Sequence, residues 1–438
     1  MVMSKFVPLR QVPTATGYKP GDILVVFGEL FSRGYANGIV DEAERAGLTV
    51  VRTTVGRREK DLLRPLTSEE LASQPKPFIN EPLEAGFDLE PCSQDGSTPV
   101  AQLAGVKLGE WENVKLDWEK IQSSRANGVA RFKKHVTAYM SELDKLIPKG
   151  ANVIFLHTMA GGVPRAKIIM PLMNRIFKGQ GERHLPSEQF WNSDLGKLCA
   201  MNFEEVTANT LTHLIEGSRG IRGRIEQEGG TVRYLAYGYH GTEVLIDGKY
   251  QWQTYSPYVQ GWAKMHLEKI AADAWNAGIK ATVYNCPEIL TNSSSIFQGV
   301  ELPLYPFMGA LRREGPGNAK ITKVLGEIQS LLKPEHNVDE ILHYIDGVIR
   351  SEAIQSHCVF EKWPQHNEKT QMETMLQASD KLIEMHKDEK NLITFPLSEE
   401  VFRATGYVMY HDSWKPQAPV LWLGHDVLAK ALASGKTL

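Results

Sequence analysis

Three glycines separate an apolar run from an amphipathic one. Asp22-Ile-Leu-Val-Val-Phe27 is followed by Gly28-Glu-Leu-Phe-Ser-Arg-Gly34-Tyr-Ala-Asn-Gly38, and then by Ile39-Val-Asp-Glu-Ala-Glu-Arg-Ala46. Glycines at a strand-to-helix turn let the backbone pass close to a bulky anion, whose charge is met by the free N–H groups of the helix start. The pyrophosphate of a dinucleotide suits that chemistry, although the spacing is not Gly-x-Gly-x-x-Gly and close helix packing would explain the same glycines. The next β-branched run, Leu48 to Val55, leads to Arg57-Arg58, with no carboxylate before Glu59. Dinucleotide sites place an acid there to read a ribose 2'-hydroxyl and a base there to accept a 2'-phosphate. A guanidinium fork matches a phosphate dianion, so Arg57 and Arg58 favour NADP(H) over NAD(H); the competing reading is a pair of solvated surface arginines.

The elements that must hold these residues follow from periodicity. Further apolar runs occur at Ala151–His157, Gly230–Ala236, Ile279–Tyr284 and Ala418–Leu423, with helical patterns near 116–147, 200–228 and 257–277. Strand and helix in alternation predict an α/β fold, a doubly wound parallel sheet of the Rossmann kind. Residues 60–115, punctuated by Pro75, Pro77, Pro82 and Pro91, read as a mostly irregular insertion within a catalytic domain spanning 1–311. Residues 312–438 read as a mostly helical C-terminal accessory region packed on it.

Composition removes other classes. Lys and Arg total 49 against 52 for Asp and Glu, a net charge of -3, so no broad basic surface calls for nucleic acid or an anionic membrane. No run has the length of a membrane span or a signal peptide, and the cytoplasm is the expected compartment. The 4 cysteines are far apart, and the 13 histidines form no HExxH or His-x-His pair. A metal site is not expected.

The stretch GELFSRGYANGIVDEA resembles the cofactor turn of the enoyl-acyl carrier protein reductases, a divergent branch of the short-chain dehydrogenase/reductase superfamily. Gly28, Gly34 and Ala36-Asn-Gly-Ile39 carry the likeness, which implies cofactor contacts at Gly28, Gly34, Tyr35 and Ala36. Phe155-Leu-His-Thr-Met-Ala160 resembles that family's fourth-strand motif, implying that His157, Thr158 and Met159 line the cofactor. Cys286-Pro-Glu-Ile289-Leu-Thr291 resembles the loop, usually Gly-Pro-Ile-x-Thr, that holds the nicotinamide, and implies contacts at Ile289 and Thr291. Gly261-Trp-Ala-Lys264 resembles the active-site helix. The four motifs keep the family's order over roughly residues 18–300, and the resemblance extends to the FabMG-type enoyl reductases.

The resemblance directs attention to the residues before Lys264. Ser256-Pro257 is a strong helix start, and Asn276-Ala-Gly278 a stop. Ordinary short-chain dehydrogenases place a tyrosine four residues before the lysine, where this chain has Gln260, which disfavours a standard ketone reductase. Enoyl reductases leave six or eight residues between the two. The first spacing lands on Pro257 and the second on Tyr255, with Tyr258 a further candidate and Tyr239 the match to the family's other tyrosine. Reduction of a double bond conjugated to a thioester puts negative charge on the carbonyl oxygen, so a hydroxyl donor must await it. Lys264 would fix the nicotinamide ribose, contact the cofactor and lower the cost of that charge.

Past the loop, Ile296, Phe297, Val300, Leu302, Leu304, Tyr305, Phe307 and Met308 form either an apolar lid over an acyl chain or ordinary core. The chain therefore reads as an NADPH-dependent enoyl-thioester reductase of fatty acid synthesis, acting on acyl carrier protein or coenzyme A substrates. Superfamily habit implies a homo-oligomer, a dimer or tetramer. A carbonyl reductase with an atypical tyrosine, or a non-catalytic NADP(H)-binding protein, are the alternatives.

Overall fold

The run Ile23–Phe27 is buried along its whole length, as befits a strand covered on both faces. It lies at the centre of a seven-stranded sheet in the computed structural model, which describes residues 5–14, 16–59, 62–255, 260–291, 297 and 299–437. In chain order the described strands are β1 Ile23–Phe27, β2 Thr49–Thr54, β3 Arg57–Glu59, β4 Leu62–Arg64, β5 Phe78–Pro82, β6 Val153–His157, β7 Val232–Gly238, β8 Thr242–Ile246, β9 Lys249–Gln253, β10 Ala281–Asn285 and β11 Val420–Trp422. The sheet runs β11-β10-β7-β6-β1-β2-β5 with every neighbouring pair parallel. This is the doubly wound order, and its direction reverses between β1 and β6, where the crevice beyond the strand ends receives ligands in such folds.

Alternate residues of β1 enter two separate cores. Leu24 and Val26 pack beneath the helices Tyr35–Arg45 and Thr394–Asp412, whereas Ile23, Val25 and Phe27 pack beneath Trp118–Leu146, Thr210–Gly217 and Gly261–Asn276. Ahead of Thr210–Gly217 the helical path widens into a π turn, Glu204–Asn209, a form that often marks a functional site.

Three features differ from the sequence reading. Within the expected insertion at 60–115, Phe78-Ile-Asn-Glu-Pro82 forms the edge strand β5. Its prolines hid it, since proline is tolerated only at a sheet edge. Residues 312–438 are mostly helical but also contribute β11, so they complete the sheet rather than only pack on it. Third, β8 and β9 form a hairpin turned by Asp247-Gly248, both at positive φ (46° and 70°), the pattern a two-residue turn requires. Among the described residues no helix is long and apolar enough to cross a membrane.

Candidate active site

Beyond the carboxyl ends of β1, β2 and β6 lies an open cleft walled by Glu29, Val55, Glu84, Thr158, Met159 and Arg165, among others. Gly28 ends β1 at φ 124°, and a Cβ there would stand 2.4 Å from Thr158 Oγ1. Only glycine lets the chain turn this closely against β6. The Thr158 N–H and hydroxyl both donate to the Phe27 carbonyl, at 2.9 and 3.1 Å, which fastens the two strand ends together. Gly34 precedes the helix Tyr35–Arg45, whose first turn contains no acidic residue, and a Cβ on Gly34 would meet nothing within 4 Å. The helix start thus has open space at Gly34 and no acid in its first turn, the features an anion site needs. The Asn37 amide donates to Phe31 O and Gly34 O at 3.0 and 3.2 Å and holds the turn in shape.

Gly38 has a different task from the one its sequence position suggested. A Cβ on it would lie 1.9 Å from Phe402 O, and one on Gly406 would lie 2.0 Å from Gly38 C. These two glycines let the helices Tyr35–Arg45 and Thr394–Asp412 cross in direct contact, so Gly38 serves packing rather than a pyrophosphate.

Nor do Arg57 and Arg58 stand ready for a phosphate. Arg57 Nη1 and Nη2 donate to the two carboxylate oxygens of Glu29 at 3.0 and 2.9 Å. Glu29 Oε2 also accepts from Thr54 Oγ1 at 2.9 Å and from Val55 N at 3.1 Å. Burial pushes the Glu29 carboxyl up, but these donors outweigh it and hold the group below its ordinary value. Arg58 Nε donates to Glu84 at 2.6 Å, and Glu84 is shared with Arg165. The carboxylate that β2 itself lacks is supplied from the turn after β1. Both arginines are thereby paired with acids.

A second cluster, at the carboxyl end of β7, centres on Lys264. It lies in the first turn of the helix Gly261–Asn276, with Gln260 at the N-cap, and is 6% exposed. Its Nζ donates to Tyr237 O at the end of β7, 2.7 Å away; among the described residues no second acceptor meets it. Burial pushes the ammonium down to about 8, with the Cys286 thiol acting the other way. Tyr35 and Tyr237 stack with ring centroids 5.5 Å apart at 23°. Burial raises both hydroxyls well above the usual tyrosine value, with Cys286 beside each. The Tyr237 hydroxyl is buried and finds no partner among the described residues.

The lysine helix is pinned one turn further on. Glu268 accepts from Asn285 Nδ2 at 2.8 Å and from His240 Nδ1 at 3.2 Å, while Asn285 Oδ1 accepts from His240 N at 2.7 Å. All three residues are buried, so the ends of β7 and β10 and the helix move as one unit. Thr242 pairs with Gln253 across the β8–β9 hairpin, which returns the chain to its starting point and explains how Tyr239 and Tyr255 flank a long segment without being far along the fold.

The remaining candidates fall into place as follows. His157 Nε2 donates to Thr210 Oγ1 at 2.8 Å, and that hydroxyl donates onward to Val206 O at 2.7 Å, which sets the tautomer. Burial, then Lys264, pushes the imidazole down to about 3. It is a neutral ring tied into the core rather than a proton shuttle. Met159 and Ile289 are buried, while Ala36, Tyr239 and Thr291 are half-buried. The loop carrying Ile289 is fastened to the helix Thr394–Asp412 by Leu290 N donating to Ser398 Oγ at 3.2 Å. Tyr255 is fully buried, packs edge-on to Phe297 at 6.1 Å, and donates its N–H to Glu288 Oε1 at 3.1 Å. Its hydroxyl is raised well above the usual value by burial and then by Glu301. Tyr258 lies outside the described residues, as do Ser256, Pro257 and Ile296. Phe297, Val300, Leu302, Leu304, Tyr305, Phe307 and Met308 all lie in the first core.

Three residues escaped the sequence reading. Tyr237 was passed over for Tyr239 in the same segment. Glu288 sits in the nicotinamide-type loop beside Ile289; burial pushes its carboxyl up to about 7, and its Oε2 has no partner among the described residues. Glu29 carried a legible signal, an acid directly after the turn glycine with two arginines at the end of the next strand. Among the described residues no group of three His, Cys, Asp or Glu side chains is placed to hold a metal.

A family model described as enoyl-acyl carrier protein reductase FabMG matches residues 5–432. A solved apo structure of FabMG, described as a novel type of enoyl-acyl carrier protein reductase, is 51% identical with a TM-score of 0.95, covering 99% of this chain and 98% of its own. A second FabMG structure, described as NADH-bound, is 44% identical with a TM-score of 0.80, covering 99% of this chain and 100% of its own. No curated protein matches.

Proposed function

The chain belongs to the FabMG family of enoyl-acyl carrier protein reductases, and from that premise we propose that it reduces the carbon–carbon double bond of a trans-2-enoyl thioester in fatty acid synthesis. The observation that carries the reading is Lys264. A buried ammonium with donors to spare stands beside Cys286 at the carboxyl end of the sheet, where a helix start free of acids also lies.

A nicotinamide dinucleotide, when bound, supplies the hydride. The residues present fit it: Gly28, Gly34 and the first turn of Tyr35–Arg45 suit its pyrophosphate, and the spare Lys264 N–H groups suit a ribose hydroxyl. Hydride arrival at the β-carbon moves negative charge to the thioester oxygen, where a hydroxyl donor lowers the barrier. We assign that donor to Tyr255, kept neutral by burial, on its eight-residue separation from Lys264. The Lys264 charge stabilises the developing oxyanion. Of the two cofactors, the engagement of Arg57 and Arg58 by carboxylates supports NADH over the NADPH expected from sequence; so does the NADH bound to the 44% identical relative. The acyl group rides on acyl carrier protein or coenzyme A, and superfamily habit makes the enzyme a cytoplasmic dimer or tetramer.

The test is loss of the near-ultraviolet absorbance of NADH when a medium-chain trans-2-enoyl thioester is added to purified protein. Turnover should fall at least ~100-fold in Lys264→Ala, and ketones should not replace the thioester. Consumption of ketones alone would make the chain a carbonyl reductase, and NADH binding without turnover of either would make it a dinucleotide-binding protein.

A further inference from the structure

We propose that Glu29 is the residue by which this protein chooses between the two nicotinamide dinucleotides, reading the adenosine ribose as a diol and holding Arg57 away from any 2'-phosphate. The proposal rests on the dinucleotide reading above. It follows from where the carboxylate sits and what it has left to give.

Glu29 comes from the turn after β1, yet its side chain reaches the end of β2, where Thr54 Oγ1 and Val55 N donate to it. In a doubly wound sheet that strand end underlies the adenosine ribose, and an acid there accepts from the ribose hydroxyls. The carboxylate lines the open cleft and retains 16% side-chain exposure, so it is reachable from solvent. Its two oxygens are unequally used. Oε2 accepts from Thr54, Val55 and Arg57 Nη1, whereas among the described residues Oε1 accepts from Arg57 Nη2 alone. An ionised carboxylate oxygen has two lone-pair directions, so Oε1 keeps one for a hydroxyl.

The same arrangement opposes a phosphate. Both Nη atoms of Arg57 are spent on Glu29, and Nη1 also donates to Gly56 O at 2.9 Å. A 2'-phosphate would enter beside a carboxylate of like charge, and the nearest fork could receive it only by breaking a two-point ion pair. Arg58 offers no substitute, being 10% exposed and engaged by Glu84. In this structure Arg57 secures the residue that reads a hydroxyl.

The experiment compares kcat/KM for NADH and NADPH, and the Kd of each by fluorescence titration, in the wild type, Glu29→Gln, Arg57→Leu and the double variant. Glu29→Gln keeps the size and an acceptor oxygen while removing the charge and freeing Arg57. Its ratio of NADPH to NADH efficiency should rise at least ~10-fold, and the double variant should lose that gain. Arg57→Leu alone should keep the preference for NADH, because the carboxylate remains. A ratio unchanged in Glu29→Gln, or a loss of NADPH binding in Arg57→Leu from a measurable wild-type level, would overturn the assignment. If Glu29→Gln fails to fold, Arg57→Leu decides alone. Failure of the underlying dinucleotide reading is distinguishable, because the wild type would then bind neither nucleotide.

Discussion

Replacing Lys264 by methionine should abolish turnover and yet make the protein more stable near neutral pH. Burial pushes the ammonium from its ordinary 10.5 down to about 8. At about 1.4 kcal/mol for each tenfold change in proton affinity, the charged form costs roughly 3 kcal/mol in the folded state. Its hydrogen bond to Tyr237 O, 2.7 Å long, returns about 1–2 kcal/mol. A methionine of similar volume escapes both terms, so Lys264→Met should gain about 1–2 kcal/mol, which in a chain of this size is about 1–2 °C in Tm. The pH dependence carries the diagnosis. Below pH 8 the lysine is protonated in both folded and unfolded chains, and the full cost is present. Between about 8 and 10.5 the unfolded chain binds the proton and the folded one does not, so wild-type stability rises with pH relative to the variant. Differential scanning calorimetry of both proteins at pH 7, 9 and 10.5 should show the gap shrinking and then reversing, because the roughly 3 kcal/mol cost is lost across this window while the hydrogen bond to Tyr237 O remains. A variant less stable at pH 7, or a gap that does not change with pH, would refute the reasoning.

Gly28→Ala should lose both cofactor affinity and about 1–3 kcal/mol of stability, because its φ of 124° excludes a side chain and its Cβ would strike Thr158 Oγ1; NADH titration together with a thermal melt checks it. Gly406→Ala should cost about 1–3 kcal/mol through the clash with Gly38, read by urea unfolding; neither Gly406 nor Gly38 is among the residues walling the cleft.

The scaffold was legible where burial and local sequence agree. The continuous apolar run of β1 and the β-branched run of β2 announce a doubly covered sheet, and the glycine at position 28 marks where β1 must stop. β5 was not legible because its register against β2 is a tertiary fact, and its flanking prolines argue locally for a loop. The β8–β9 hairpin had a local signal, Asp247-Gly248 between alternating residues, and was missed all the same. At the site, Lys264 drew attention because a motif surrounds it, and the structure shows it buried with one hydrogen bond to Tyr237 O among the described residues. Gly38 was misread because a glycine that admits a phosphate and one that admits Gly406 look alike in a single chain. The Arg57–Glu29 pair was not read as a pair, because Glu29 comes beside Arg57 only after β1 and β2 align.

The central claim is that hydride goes to the β-carbon of an enoyl thioester. The direct measurement uses NADH deuterated at the transferable position of the nicotinamide, a medium-chain trans-2-enoyl thioester, and mass and NMR analysis of the product. The account predicts a saturated thioester carrying one deuterium at the β-carbon. Deuterium on a carbinol carbon, with the double bond intact, would contradict it.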